Sequence, residues 1–412
     1  MKPISVLVTV SGRDRPGVTA ALFSSLAAHD VDVLDVEQVV IRGRLILGVV
    51  LDLRGDPASL RRSIGQTCSA VGMEHEVVVV EAGDADSAAE LAAERRARDG
   101  GKLHVIVLGH PLRPGAIANV SQAIADVGAN IESVTQLSTR PIASLDMMVS
   151  GDESRVRAAL ARAATATGLD IAVERAGLAR RAKRLVVLDV DSTLVQGEGV
   201  DELAKRAGVF DQVQAITAAA MAGELDFAEA LASRVSLLAG LPMAAVEQVR
   251  DELQLTPGAR TLVRTLKRLG YAVGVVSGGF TALTDRFVAE LGLDFAAANV
   301  LEVVDGVLTG RILGEVVDRR GKADALRRFA ARFDVPLSQT VAIGDGANDI
   351  DMLRAAGLGV AFNAKAALRD NAAVAVNHPF LDAVLYVLGI SRSEIEQADL
   401  LDEQARPAAP TR

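Results

Sequence analysis

Tryptophan is absent, and aromatic residues make up only 3% of the chain, while half of all residues are hydrophobic. The cores must therefore rest on Ala, Val, Leu and Ile. Cysteine occurs once, at Cys68, which excludes an intrachain disulfide and fits a small buried hydrophobe in a reducing cytoplasm. No apolar run reaches the roughly 18 residues of a membrane span, so no membrane partner is expected. Met1 to Val10 is followed by charged Arg13, Asp14 and Arg15 with no small-residue cleavage pattern, so no signal peptide is expected either. Positive charge is not in excess: 44 Lys and Arg against 53 Asp and Glu give a formal net charge of −9. That excludes a broad nucleic-acid phosphate surface. A small anionic substrate stays open, because a metal and a few cations can hold one locally.

What is there starts with a repeat. A chain of 412 residues has room for about two to four domains. The run Val6-Leu7-Val8-Thr9-Val10 leads to Gly12 and then Arg15-Pro16-Gly17; Val105-Ile106-Val107-Leu108 leads to Gly109 and then Arg113-Pro114-Gly115. A helix with one apolar face follows each Pro-Gly, carrying Val18, Leu22, Leu26 and Ala27 in the first copy and Ile117, Val120, Ile124 and Val127 in the second. Strand candidates follow at Val31–Leu34, Leu45–Leu51 and Val77–Val80, and at Ala129–Ile131, Ser144–Val149 and Ile171–Glu174. Each copy reads β-α-β-β-α-β, a ferredoxin-like arrangement, over 1–81 and 102–176. The stretch 82–101, rich in Ala, Asp, Glu and Arg, reads as a helical, solvated connector.

A third segment, 183–391, has an α/β pattern. Its apolar runs Leu185–Leu188, Ala272–Val276 and Val341–Ile343 are those of parallel strands covered on both faces. Pro257-Gly258 opens a helix whose apolar face is Leu262, Val263, Leu266 and Leu269, with Gly270 as its stop signal. Asp305-Gly306 predicts a tight hairpin between Val303-Val304 and Val307-Leu308. The tail 398–412 is expected to fray.

Each of the three apolar runs ends in polar chemistry: Asp189 and Asp191, then Ser277-Gly278-Gly279, then Gly344-Asp345-Gly346-Ala347-Asn348-Asp349. Ligands of open parallel sheets bind at the carboxyl ends of the strands, so the three clusters should converge. Asp189 and Asp191 alone would also suit loop aspartates capping a helix. Four carboxylates at one sheet edge, however, call for a cation, and hard oxygen ligands suit Mg²⁺. Ser277 and its glycines offer a hydroxyl and backbone N–H groups to an anion. Lys322 follows Gly321 at the start of a helix; a lone lysine is ordinarily a solvated surface charge, and this one draws interest only because phosphoryl transfer needs a cation on the transferring oxygens.

Asp189-x-Asp191-x-Thr193, Ser277, Lys322 and Gly344-Asp345-Gly346-x-x-Asp349 resemble the four ordered motifs of the haloacid dehalogenase superfamily. The resemblance implies a Rossmann-like parallel sheet with a helical cap. It makes Asp189 the nucleophile that forms an aspartyl phosphate and Asp191 the general acid and base. Ser277 and Lys322 would hold the phosphoryl oxygens. Mg²⁺ would sit on Asp189, Asp345 and the backbone carbonyl of Asp191, with Asp349 acting through water. The insert at about 195–256, with Gln196-Gly197-Glu198 and Leu225-Asp226-Phe227, resembles the cap of the phosphoserine phosphatase family. That likeness assigns Glu198 to the substrate ammonium, Arg234 to its carboxylate, and Met221 and Phe227 to closing the pocket. Gly278, Gly279 and Asn348 would also touch the bound substrate. The N-terminal copies resemble ACT domains, which implies an amino-acid effector such as serine, bound near Asp14 and Gly17 or Gly109 and Gly115, and a homodimer. The second loop, Gly109 to Gly115, is one residue longer than the first and lacks its Asp. A phosphatase for phosphothreonine or a sugar phosphate, and an amino-acid sensor with a vestigial catalytic domain, are the competing readings.

Overall fold

A computed structural model of the protein describes residues 4–80, 101–221, 225–364, 366–369 and 372–405. The connector expected at 82–101 lies outside these residues, apart from Gly101. The chain forms two compact units, Met1–Arg96 and Ala97–Arg412.

The first unit is one β-α-β-β-α-β copy. Its strands are β1 (Ile4–Arg13), β2 (Val31–Ile41), β3 (Arg44–Leu53) and β4 (Glu74–Val80), antiparallel in the order β2-β3-β1-β4. Alternate residues Val6, Val8 and Val10 of β1 and Leu45, Leu47, Val49, Leu51 and Leu53 of β3 are buried, the period of a sheet covered on one face. The cover is two helices, Val18–Leu26 and Pro57–Ala70, which contribute Val18, Leu22, Leu26, Leu60, Ile64 and Cys68 to the core. Ala27 lies past the end of its helix and is exposed, not on the apolar face. The edge strand β2 leaves Val33, Leu34, Val36, Val39, Val40 and Ile41 exposed.

The second unit opens with the other copy: β5 (Lys102–Gly109), β6 (Asn130–Ser138), β7 (Ala143–Ser150) and β8 (Asp170–Arg175), in the matching order β6-β7-β5-β8. Here both faces of the sheet are covered. Leu103, Val105 and Val107 face the copy's own helices. Ile106, Leu108, Leu137, Ile142 and Ala172 belong instead to the core of the α/β segment that follows. Polar groups seal the junction. Asn377 donates its backbone N–H and its side-chain amide to the buried Asp170 carboxylate, each at 2.6 Å. Arg180, 8% exposed, donates to Glu174, Asp146 and the Val387 carbonyl, each at 3.2 Å.

The α/β segment carries β9 (Leu185–Leu188), β10 (Ala272–Phe280), β11 (Phe295–Val304), β12 (Val307–Leu313), β13 (Thr340–Gly344), β14 (Leu358–Phe362) and β15 (Val374–Val376) in the order β12-β11-β10-β9-β13-β14-β15. All neighbours are parallel except β11 and β12. That antiparallel pair turns through Asp305 and Gly306, both at positive φ, as the hairpin predicts. The three strands legible in sequence, β10, β9 and β13, are adjacent at the centre of the sheet. Between β9 and β10, four helices (Gly199–Ala207, Phe210–Met221, Phe227–Ser236, Met243–Glu252) form an insert. Its two stems meet where Val195 bridges Leu255 and Thr256 N–H donates to the Leu194 carbonyl.

Two expectations are corrected. Leu269 is 55% exposed, because the helix ends at Arg268 and the next residue turns off its apolar face. The tail does not fray from Ala398: a helix runs from Arg392 to Ala405. Ser391 and Glu394 form a reciprocal cap, with Ser391 N–H on the Glu394 carboxylate at 2.7 Å and Glu394 N–H on the Ser391 hydroxyl at 3.3 Å. Asp399 and Asp402 then tie the helix to Arg264 and Arg268. Residues 406–412 lie outside the described ones.

Candidate active site

Strand β9 delivers Asp189 to the sheet edge, where its N–H bonds the Ile343 carbonyl of β13 at 2.9 Å. The chain then makes an abrupt turn. Ser192 takes a left-handed conformation (φ 57°), its N–H reaches the Gly197 carbonyl at 2.9 Å, and the carboxylates of Asp189 and Asp191 part. The Asp189 carboxylate turns inward. Its Oδ1 accepts from Val190 N–H at 2.7 Å and lies 2.8 Å from the Lys322 ammonium. Asp191 points toward the insert. Its Oδ1 accepts from Gly199 N–H at 2.7 Å and its Oδ2 from the Ser277 hydroxyl at 3.3 Å.

Lys322 has no exposed surface. Its ammonium sits 2.8 Å from both Asp189 and Asp349, and Asp349 is likewise fully buried, its other oxygen accepting from Gly346 N–H at 3.1 Å. A buried lysine without partners would lose its proton. Here burial pulls the Lys322 pKa down, but the carboxylates of Asp189 and Asp349 outweigh it and push the pKa above its ordinary value. The two carboxylates at 2.8 Å therefore favour the ammonium form. Burial, followed by the neighbouring Asp349 charge, pushes the Asp189 pKa well up, against the pull of Lys322. Burial likewise raises Asp191. One lysine does not balance this many carboxylates. Asp189, Asp345 and Asp349 each bring an oxygen within 4.8 Å of the others, a hard-oxygen set that fits a divalent cation. The carboxylate of Asp191 is not in that set, so any part it takes in holding a metal must come from its backbone.

Ser277-Gly278-Gly279 closes the other side. Gly279 N–H donates to the Ser277 hydroxyl at 2.8 Å. A Cβ at Gly279 would lie 2.7 Å from Asp191 Oδ2 and 3.0 Å from the Ser277 oxygen, so only glycine lets the loop come this close. Phe227 extends from the insert until its ring lies 3.1 Å from where a Gly278 Cβ would be.

These elements correspond to known proteins. Residues 186–354 match the haloacid dehalogenase-like hydrolase family, and 5–78 and 103–174 each match an ACT domain family. A phosphoserine phosphatase of Streptomyces coelicolor is 55% identical, covering 96% of this chain and 95% of that protein. Phosphoserine phosphatase SerB2 of Mycobacterium tuberculosis is 52% identical over 97% of this chain and 96% of its own. The chain belongs to the phosphoserine phosphatase family. Among solved structures, a probable phosphoserine phosphatase from Vibrio cholerae, in unliganded form, superposes with a TM-score of 0.56 at 37% identity, covering 71% of this chain and 88% of that one.

Within this family frame, the remaining sequence-predicted residues fall as follows. Glu198 opens the first helix of the insert and accepts from the Ser192 hydroxyl at 3.0 Å. Arg234 is half-buried, and burial lowers its pKa overall, against the raising pull of Glu198, Asp201 and Asp191. Arg234 thus shares one electrostatic neighbourhood with the ammonium candidate and the acid-base candidate. Asn348 is half-buried beside Gly346. Met221 ends the second insert helix, and its side chain lies outside the described residues. Asp14 and Gly17 are exposed in the first unit, with Gly17 left-handed (φ 94°) just before its helix. In the second unit Gly109 is buried, and Gly115 lies inside a helix that already starts at Pro114. The two loops therefore differ in backbone as well as in sequence.

Two site residues escape the sequence reading. Ser192 orients Glu198. Asp201, in the first turn of the helix that Glu198 precedes, is held by Gln214 at 2.8 Å and acts electrostatically on Asp191 and Arg234. Its place in the first turn of the helix that follows Glu198 is the available signal.

Proposed function

We propose that the chain hydrolyses O-phospho-L-serine to L-serine and phosphate through an aspartyl phosphate on Asp189, the last step of serine biosynthesis. The observation that carries this is the divergence of the two β9 carboxylates. Asp189 is held against Lys322, where a phosphoryl group's negative oxygens would be received. Asp191 is held apart, between Gly199 and Ser277, where a leaving oxygen would need a proton. An oxygen of Asp189 attacks phosphorus, the bond from phosphorus to the serine oxygen breaks, and Asp191 gives that oxygen its proton. Asp191 then takes a proton from water as the water's oxygen attacks the aspartyl phosphate and frees Asp189. The raised Asp191 pKa favours the protonated form the first step needs.

Asp189, Asp345 and the Asp191 backbone would hold Mg²⁺, with Asp349 acting through water, and the ion would supply charge neutralisation on the phosphoryl oxygens. Ser277, Gly278, Gly279 and Lys322 bind those oxygens. Glu198 takes the substrate ammonium and Arg234 its carboxylate, a pairing that a planar guanidinium makes with two parallel bonds. Met221, Phe227 and Asn348 complete the enclosure. The ACT modules bind an amino-acid effector, serine being the first to test, near Asp14 and Gly17 or Gly109 and Gly115, and join two chains into a cytoplasmic homodimer. The exposed apolar β2 strand supports that pairing.

The deciding experiment is phosphate release from phosphoserine with and without Mg²⁺, for wild type and Asp189→Asn. Turnover should require the metal and fall by at least about 1,000-fold in the variant while the fold survives. Full activity in Asp189→Asn sinks the nucleophile assignment. Arg234→Ala should lose far more activity on phosphoserine than on p-nitrophenyl phosphate; equal losses remove its carboxylate role.

A further inference from the structure

The loop Ser277-Gly278-Gly279 is not held by its own sheet. Strands β10 and β11 pair in register through Val276 and Ala297, and again at Phe280 and Asn299. Four steps along β10 thus match two along β11, and the loop bulges out of the ladder, which strips its peptide groups of strand partners. A glycine-rich bulge left that way would sample many conformations.

Asn299 replaces the missing partners. Its side chain is 1% exposed. Its Nδ2 donates to the Gly278 carbonyl at 2.9 Å, and its Oδ1 accepts from Val317 N–H at 2.8 Å. The amide orientation is forced, because a carbonyl can only accept and a backbone N–H can only donate. The peptide between Gly278 and Gly279 is therefore fixed at both ends: its carbonyl by Asn299, and its N–H by the Ser277 hydroxyl at 2.8 Å. That same hydroxyl donates to Asp191 at 3.3 Å. On its other side Asn299 grips Val317, next to Asp318, whose carboxylate caps the helix carrying Lys322 by accepting from Gly321 N–H at 2.6 Å.

We propose that Asn299 is a positioning residue for the reaction. It locks the Gly278–Gly279 peptide, sets the Ser277 hydroxyl against Asp191, and ties this loop to the segment that leads into the Lys322 helix. It touches neither substrate nor metal. A buried asparagine that merely satisfied the core would stabilise the fold without acting through Ser277. The inference rests on the roles given above to Ser277 and Asp191.

The test is a double-mutant cycle on the full chain, with kcat, KM and melting temperature measured for Asn299→Asp, Ser277→Ala and the double variant. Asn299→Asp keeps the shape and the bond from Val317 but sets an acceptor against the Gly278 carbonyl. It should lower kcat about 10-fold or more, since small misplacements of reacting groups carry penalties of that order. In the Ser277→Ala background the same change should lower kcat by less than about threefold, because residues that act through each other are not additive. Asn299→Ala, which removes both bonds without adding a carboxyl, should show the same non-additivity. Equal factors in the two backgrounds, an unchanged kcat, or failure of both Asn299 variants to fold would each overturn the proposal. A Ser277→Ala enzyme that keeps its kcat would instead sink the role of Ser277. An additive cycle on a Ser277→Ala enzyme that has lost kcat sinks only the link to Asn299.

Discussion

The two ACT modules share strand order, helix placement and loop position, yet they solve burial in opposite ways. The sheet of the first is covered on one face, and its edge strand β2 exposes six Val, Leu and Ile side chains. The second has a mostly polar edge strand, with Ser133, Thr135 and Gln136, that ends in buried Leu137 and Ser138, and its sheet is covered on both faces. A duplicated fold has thus become two parts: one a self-contained module with an apolar edge, the other a wall of the catalytic unit. An uncovered hydrophobic edge is a pairing surface, whereas a covered face is a structural commitment.

The comparison breaks most visibly under truncation. Removing residues 1–96 should leave soluble protein that releases phosphate from phosphoserine. Removing residues 1–176 strips the cover from one side of the catalytic core and leaves Asn377 without Asp170, so the product should aggregate. Light scattering and a phosphate assay on both truncations check this, and a soluble, active 177–412 fragment would refute the second module's structural role.

A smaller effect is expected from single arginines. Arg180→Ala leaves Glu174 buried beside an empty site and Asp146 with His104 as its neighbour, and should cost about 3–5 kcal/mol. Arg54→Ala in the first module removes an exposed pairing with Asp30 and Asp32 and should cost about 1 kcal/mol or less. Denaturant titrations of the two variants give the contrast directly. At the edge strands, Val39→Lys should shift the proposed dimer toward monomer in sedimentation experiments, while Val134→Lys in β6 should leave it unchanged. Equal responses would erase the distinction between the two edges.

The smallest effect concerns pH. Burial, partly offset by Asn377, His378 and Arg369, raises the Asp170 pKa above 3.8. The folded state therefore holds this proton more tightly than the unfolded chain does. The contribution of Asp170 to stability is greatest below pH 3.8 and falls as pH rises through the raised folded value. The difference in stability between wild type and Asp170→Asn, measured across that range, should show this negative slope. A flat or rising difference contradicts it.

The placement of the candidate carboxylates, Ser277 and Lys322 is legible in sequence because each sits at the end of an apolar run or the start of a helix, and those are local patterns. That of Ser192 and Asn299 is not. One depends on a left-handed turn and the other on a register shift, and neither leaves a periodic trace. Strand β14 carries no reactive residue at its end to mark it in the sequence. Two further signals stand in the sequence. Ser391 and Glu394 have capping-box spacing. The run Val105-Ile106-Val107-Leu108 is apolar on both faces, whereas β1 alternates with Ser5, Thr9 and Ser11; continuous against alternating patterning is what separates a doubly covered strand from a singly covered one.

The complete burial of Lys322 has a practical consequence. An amine with no accessible surface cannot be reached by acetyl donors or amine-directed labels while the fold is closed. Surface lysines such as Lys205 should be modified at once, and Lys322 only in molecules whose site has opened. The extent of labelling at this one position, read by mass spectrometry, becomes a clock for the opening of the catalytic unit.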